Sequence, residues 1–183
     1  MDGSKRSSHG NAYFTGLGKT KRIVFFDTLI SRLTEGEIEA VLAHELGHFK
    51  LHHVIRRMLW TFGVSLVLLG VLGYLKDKAW LYEGLGAAYP ATNAMALLLF
   101  VLVVPVFTFL LQPLVAMYSR KHEFEADAYA ARYSSPLELV NALVKLYKDN
   151  AATLTPDPLH SAFYDSHPPA SLRIARLQSL GAP

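Results

Sequence analysis

Two long stretches of this sequence carry no charged side chain, and they leave the chain few ways to fold. Leu59 to Leu75 is uncharged over 17 positions and Ala94 to Tyr118 over 25. At about 1.5 Å of rise per helical residue, the first nearly crosses a hydrocarbon layer of about 30 Å and the second exceeds it. A lone domain of 183 residues can hardly bury two such helices on every side, so lipid is the expected solvent for both. The spans are placed at 58–75 and 94–118, as a transmembrane hairpin. Pro105, Gln112 and Pro113 kink the second or mark a cavity without preventing it from spanning. The composition agrees, with 51% hydrophobic and 18% charged residues.

Charge orients the hairpin. Lys50, Arg56 and Arg57 precede the first span and Arg120 and Lys121 follow the second, whereas Lys76 and Lys78 between them are opposed by Asp77 and Glu83. The positive-inside bias puts both outer ends on the cytoplasmic side. The net charge of +3 is not gathered into one basic tract, so no nucleic-acid partner is expected. With no cysteine in the chain, disulfides, thiolate metal sites and cysteine nucleophiles are excluded. Any metal must rest on histidine and carboxylate. Nothing near Met1 reads as a signal peptide, so insertion relies on the internal segments or on sequence upstream.

The rest of the chain reads as mainly α, in one domain over 1–183. Short β-favouring runs around a Gly-containing turn predict a β-hairpin over 11–27. Thr34 followed three residues later by Glu37 is a capping-box pattern that opens a helix over 34–57. A polar helix follows the second span over 119–133. The remainder, 134–183, is a helical region beginning at Ser135-Pro136 and ending with a short helix near Pro169 to Leu180. Thr153 to Ser166, with Pro156 and Pro158, reads as a loop between them.

His44-Glu45-Leu46-Gly47-His48 is the central chemical signal. Histidines at i and i+4 project from one face of a helix and bring two imidazole nitrogens to one zinc ion, with the glutamate beside it as a base. A catalytic zinc usually takes three protein ligands and leaves a position for water. Glu123 is the candidate for the third place, because two membrane crossings return it to the side of His44 and His48. Asp127, one turn further on, is placed to orient a ligand imidazole. Read from the residues alone, Glu123 and Asp127 equally suit a solvated acidic face. His52 competes for the third place, but three ligands stacked along one straight helix cannot converge on a tetrahedral centre. His122 points about a quarter turn away from Glu123, and His9, His52, His53 and His160 read as interfacial or surface residues. Near the C-terminus, His167 before two prolines and Arg173 would serve to bind an oxyanion or substrate carbonyl, or equally to cap a helix.

Taken together, the run Asp2 to His9, Asn11-Ala12-Tyr13-Phe14-Thr15-Gly16, the His44 to His48 motif, Glu123 to Asp127, and His167-Pro168-Pro169 with Arg173 resemble the C-terminal half of type I CAAX prenyl proteases. These are integral-membrane zinc peptidases of the gluzincin kind. The resemblance implies one zinc on His44, His48 and Glu123, with Glu45 as general base and Asp127 as a supporting or proton-donating acid. It also implies that His167 and Arg173 lie near the substrate, and that Asn11, Ala12, Tyr13 and Phe14 form a strand along which peptide runs. Family members carry further transmembrane helices before this region, so the sequence is expected to be a fragment of a longer protein or a minimal form.

The reading is a membrane-embedded helical zinc metalloendopeptidase acting at the cytoplasmic face on peptide or protein substrates, prenylated or membrane-associated. Two alternatives are a quality-control membrane protease of the HtpX type, which shares the zinc motif, and a membrane scaffold whose zinc is structural.

Overall fold

The structure, a computed structural model, describes residues 1–5, 12–15, 20, 22–149 and 156–181. It contains two compact units, Met1–His53 with Pro113–Pro183, and Val54–Gln112.

In the first unit, β1 (Ala12–Thr15) pairs antiparallel with β2 (Arg22–Phe25), Ala12 opposite Phe25 and Thr15 opposite Arg22. Asn11 and Gly16 to Lys19 lie outside the described residues. A single turn, α1 (Asp27–Ile30), leads to α2 (Glu35–Lys50). Thr34 caps α2 reciprocally: the Glu37 N–H donates to Thr34 Oγ1 at 3.3 Å, and the Thr34 N–H donates to Glu37 Oε2 at 2.7 Å. That satisfies two of the donors every helix start leaves without a partner. The same Glu37 oxygen accepts from Lys145 Nζ at 2.7 Å, tying the start of α2 to α7 (Pro136–Asp149).

The inner face of α2 is built from small residues. Ala40 and Ala43 share a core with Ala130 of α6 (Gln112–Tyr133), Leu139, Val140 and Leu143 of α7, and Leu177 of α9 (Ala170–Gly181). A second cluster joins Leu29 and Leu33 to Val41 and Ala142. Small side chains let helix backbones approach, and that closeness is what the chemistry of this unit requires.

Three expectations from the sequence need correction. The helix expected over 34–57 ends at Lys50, and Leu51 and His52 turn the chain before α3 (His53–Leu75) begins. His52 makes the turn with φ 57°, in the left-handed region, where His is one of the few residue types other than glycine found with any frequency. His53, read as an interfacial or surface residue, is buried at 3% exposure. The stretch read as a loop before Ser166 contains α8 (Pro158–Tyr164), whose N-cap Asp157 accepts from the His160 N–H at 2.8 Å. Proline in its first turn has no N–H to leave unsatisfied. His52 and His160 are exposed, as expected.

The second unit holds α3 from Val54 onward, α4 (Ala79–Gly84), α5 (Asn93–Thr108) and a 3-10 turn at Phe109–Leu111. Thr92 caps α5 by accepting from the Met95 N–H at 3.2 Å. Two helical runs, His53–Leu75 and Asn93–Tyr133, are long and apolar enough to cross a membrane. No helix break falls between 118 and 119; α6 starts at Gln112 and carries on through Glu123 and Asp127. Between α3, α4 and α5 lies a cavity of about 480 Å³, lined almost wholly by apolar side chains such as Leu68, Trp80, Phe100 and Phe107.

Candidate metal centre

Because α2 runs unbroken through the motif, His44 and His48 stand one turn apart on the same face, their Nε2 atoms 3.2 Å from each other. From α6, Glu123 brings Oε1 to 3.4 Å from His48 Nε2 and Oε2 to 3.7 Å from His44 Nε2. A tetrahedral ion bound at about 2.0–2.2 Å sets its ligand atoms about 3.3–3.6 Å apart. The observed separations, the two to Glu123 running to different oxygens of its carboxylate, lie close to that edge length. Glu123 and His44 are buried, and two imidazoles converging with a carboxylate make a donor set that suits zinc.

The surroundings orient these groups. Asp127 Oδ1 lies 3.0 Å from His44 Nδ1 and accepts its N–H, which turns the Nε2 lone pair toward Glu123. Arg173 in turn grips Asp127 in a bidentate pair, Nε to Oδ2 at 2.8 Å and Nη2 to Oδ1 at 2.6 Å, and its Nη1 stands 3.4 Å from Glu123 Oε2. Burial works against the charge on Arg173, but the hydrogen-bonded Asp127 carboxylate, together with Glu123 and Tyr147, more than offsets it and raises the guanidinium above its ordinary value. His167, mostly exposed, places Nδ1 2.9 Å from Glu123 Oε2. Both C-terminal residues singled out in the sequence therefore reach Glu123 directly.

Gly47, inside the motif, permits this convergence. A Cβ there would stand 3.1 Å from Ala126 Cα and Tyr129 Cβ and 3.2 Å from the Ala126 carbonyl. Contacts that tight require neighbouring backbone to move, so glycine sets how closely α2 meets α6. Ala126 itself is wholly buried.

A cavity of about 160 Å³ opens beside the cluster, lined by His44, Glu45, Glu123, His167 and Arg173 together with Ala12 of β1. Burial raises the Glu45 carboxyl above its ordinary value; His44 and His48 pull it back and Glu123 adds to the rise. Of the strand residues singled out in the sequence, Ala12 reaches this cavity. Tyr13 is partly exposed with its ring edge-on to Phe26 at 6.1 Å, Phe14 pairs with Ile23 in the sheet, and Asn11 lies outside the described residues. Two residues beside the cluster escape the sequence reading, which makes His53 interfacial or surface and gives Glu125 no role. His53 Nδ1 lies 3.0 Å from His48 Nδ1, and His53 Nε2 lies 3.0 Å from Glu125 Oε2.

Known proteins resemble this chain along nearly its whole length. The chain is 37% identical to the CAAX prenyl protease 1 homolog of Oryza sativa subsp. japonica, over 97% of this chain and 42% of that protein. It is 35% identical to CAAX prenyl protease 1 of Saccharomyces cerevisiae, over 97% of this chain and 42% of that one. The crystal structure of S. mikatae Ste24p superposes with a TM-score of 0.85 at 34% identity, covering 96% of this chain and 44% of that chain. The chain thus spans less than half the length of the relatives it matches. The model of peptidase family M48 matches residues 1–180, nearly the whole sequence and every residue of the His–His–Glu cluster, and the chain belongs to that family.

Proposed function

We propose that this chain is the zinc-binding catalytic part of a membrane metalloendopeptidase, with His44, His48 and Glu123 as ligands to one zinc ion and the site at the cytoplasmic face. The convergence of His44 Nε2, His48 Nε2 and Glu123 at tetrahedral spacing, with Glu45 on the adjoining cavity, carries the reading. Zinc held there supplies Lewis acidity, polarising a carbonyl and making water easier to deprotonate. Glu45 takes the proton of the water attacking the scissile carbonyl and passes it to the leaving nitrogen as the C–N bond breaks. Its place on the cavity beside Glu123 and His44 suits both halves of that shuttle. Asp127, braced by Arg173, holds His44 in its metal-facing tautomer. His167, at the mouth of the cavity, serves the developing oxyanion. Peptide runs along β1 past Ala12, adding to the strand edge.

The relatives named CAAX prenyl protease 1 favour a prenylated peptide as substrate, and the two apolar helices favour an integral-membrane setting. The decisive variant is Glu45→Gln, assayed in detergent with prenylated peptide and with unfolded membrane protein as competing substrates. The expected result is undiminished zinc content with peptide turnover reduced at least about a hundredfold. Wild-type turnover in a zinc-loaded Glu45→Gln chain would overturn the mechanism. Cleavage of the unfolded protein in preference to the prenylated peptide would move the assignment to the quality-control type.

A further inference from the structure

His53 opens α3 directly after the left-handed His52 and is buried beside His48. Its two ring nitrogens meet two different partners, His48 Nδ1 and Glu125 Oε2, each at 3.0 Å. The polarity of this chain of hydrogen bonds is set from its carboxylate end. An ionised carboxylate only accepts, so His53 Nε2 carries the proton and donates to Glu125. A neutral His53 then accepts at Nδ1, and His48 must donate from its own Nδ1. The lone pair of His48 is thereby left on Nε2, the atom 3.2 Å from His44 Nε2 and 3.4 Å from Glu123 Oε1.

We infer that His53, braced by Glu125, is a positioning residue that fixes the tautomer and ring angle of His48 as a zinc ligand. The inference rests on the reading of His44, His48 and Glu123 as the ligand set. Asp127 holds His44 directly; Glu125 holds His48 through one interposed imidazole. The arrangement follows from the turn at Leu51–His52, because on an unbroken helix His53 would lie about 140° round from His48.

His53, His122 and Glu125 also bring three possible ligand atoms within 4.8 Å of one another. The rings of His53 and His122, however, are stacked 8° from parallel with centroids 4.1 Å apart. Lone pairs lie in the ring plane, so in stacked rings they run side by side instead of converging on one ion. Both nitrogens of His53 are moreover engaged by His48 and Glu125. The geometry favours a support for the first cluster over a second metal site.

The test is zinc affinity of the full chain in detergent, measured by competition with a chelator, together with the d–d spectrum of the cobalt-substituted protein. His53→Ala is expected to bind zinc about 10–100-fold more weakly, with an altered cobalt spectrum. His53→Asn, whose amide oxygen stands near the position of Nδ1 and accepts the same bond, should recover most of the affinity. Should His53→Ala not fold, the Glu125 pair decides: Glu125→Gln still accepts from His53 and should stay near wild type, whereas Glu125→Ala should lose affinity. Unchanged affinity in His53→Ala and Glu125→Ala would overturn the inference, as would equal loss in both His53 variants. A second zinc per chain that vanishes with His53→Ala would overturn it in favour of a second site. His44→Ala and Glu123→Ala separate the two levels. If they too keep zinc, the ligand assignment fails; if they alone lose it, that assignment stands and only the role of His53 fails.

Discussion

The two units follow opposite rules of burial. In the first, the most deeply buried groups include charged and ionisable ones: Asp127 is 1% exposed, Glu123 5% and Arg173 5%. In the second, large apolar side chains face outward, Leu66 and Phe107 each 73% exposed. Water as solvent would penalise both patterns, the first through desolvated charge and the second through unburied hydrocarbon. Each becomes favourable once its own partner is supplied. Buried carboxylates are offset by Arg173 and the histidines, and a bound cation would add to that; exposed leucines and phenylalanines would be offset by lipid. Polarity in this chain is thus allotted by chemistry in one unit and by solvent in the other.

The largest effect that would sharpen this contrast is expected at Arg173. Arg173→Ala leaves Asp127 buried without its bidentate partner, an uncompensated charge that costs about 3–5 kcal/mol. A sharply lowered melting temperature in detergent checks it, and a stability change within error would show that the buried pair is not what holds this unit. Next is the hairpin. At Val67, 66% exposed on α3, leucine is expected to be neutral, whereas Val67→Asp adds about 2.5–3.5 kcal/mol against insertion at the centre of a span. Loss of the chain from alkali-washed membranes is the expected outcome, and full retention would break the lipid assignment.

The smallest effect sets one substitution in both regions. Gly47→Ala forces a Cβ against the Ala126 backbone and should cost about 1–3 kcal/mol, with weakened zinc binding as α2 and α6 separate. At Gly70 a Cβ meets nothing within 4 Å, so Gly70→Ala gains helix propensity and should be neutral or stabilising by up to about 1 kcal/mol. Thermal denaturation of the pair gives the signs; like signs would contradict the claim that only Gly47 is a packing requirement.

Much of this contrast was legible in the residues. The uncharged stretches gave the apolar helices, Thr34 and Glu37 the start of α2, and the His–Glu–x–x–His spacing the face on which His44 and His48 meet. Glu123 and Asp127 were reachable because they sit one turn apart on a polar helix after a span. What stayed hidden depends on a break with no local signal. Leu51-His52-His53 contains neither glycine nor proline, so the helix read on through residue 57 and His53 fell on the wrong side of it. Glu125 is 72 positions from His53, and only the fold brings them to hydrogen-bonding distance. Gly47 was given no role from the sequence, because its reason lies across the interface, in Ala126 and Tyr129.

The central claim is that His44, His48 and Glu123 hold a zinc with room for substrate. X-ray absorption at the zinc edge on the purified chain tests it most directly. The account predicts one zinc per chain with two imidazole nitrogens and a carboxylate oxygen at about 2.0–2.2 Å and a further, exchangeable oxygen. That signal should disappear in both His44→Ala and Glu123→Ala. A shell saturated by four protein ligands, or zinc that survives those substitutions, would contradict it and leave the metal a structural role or another address.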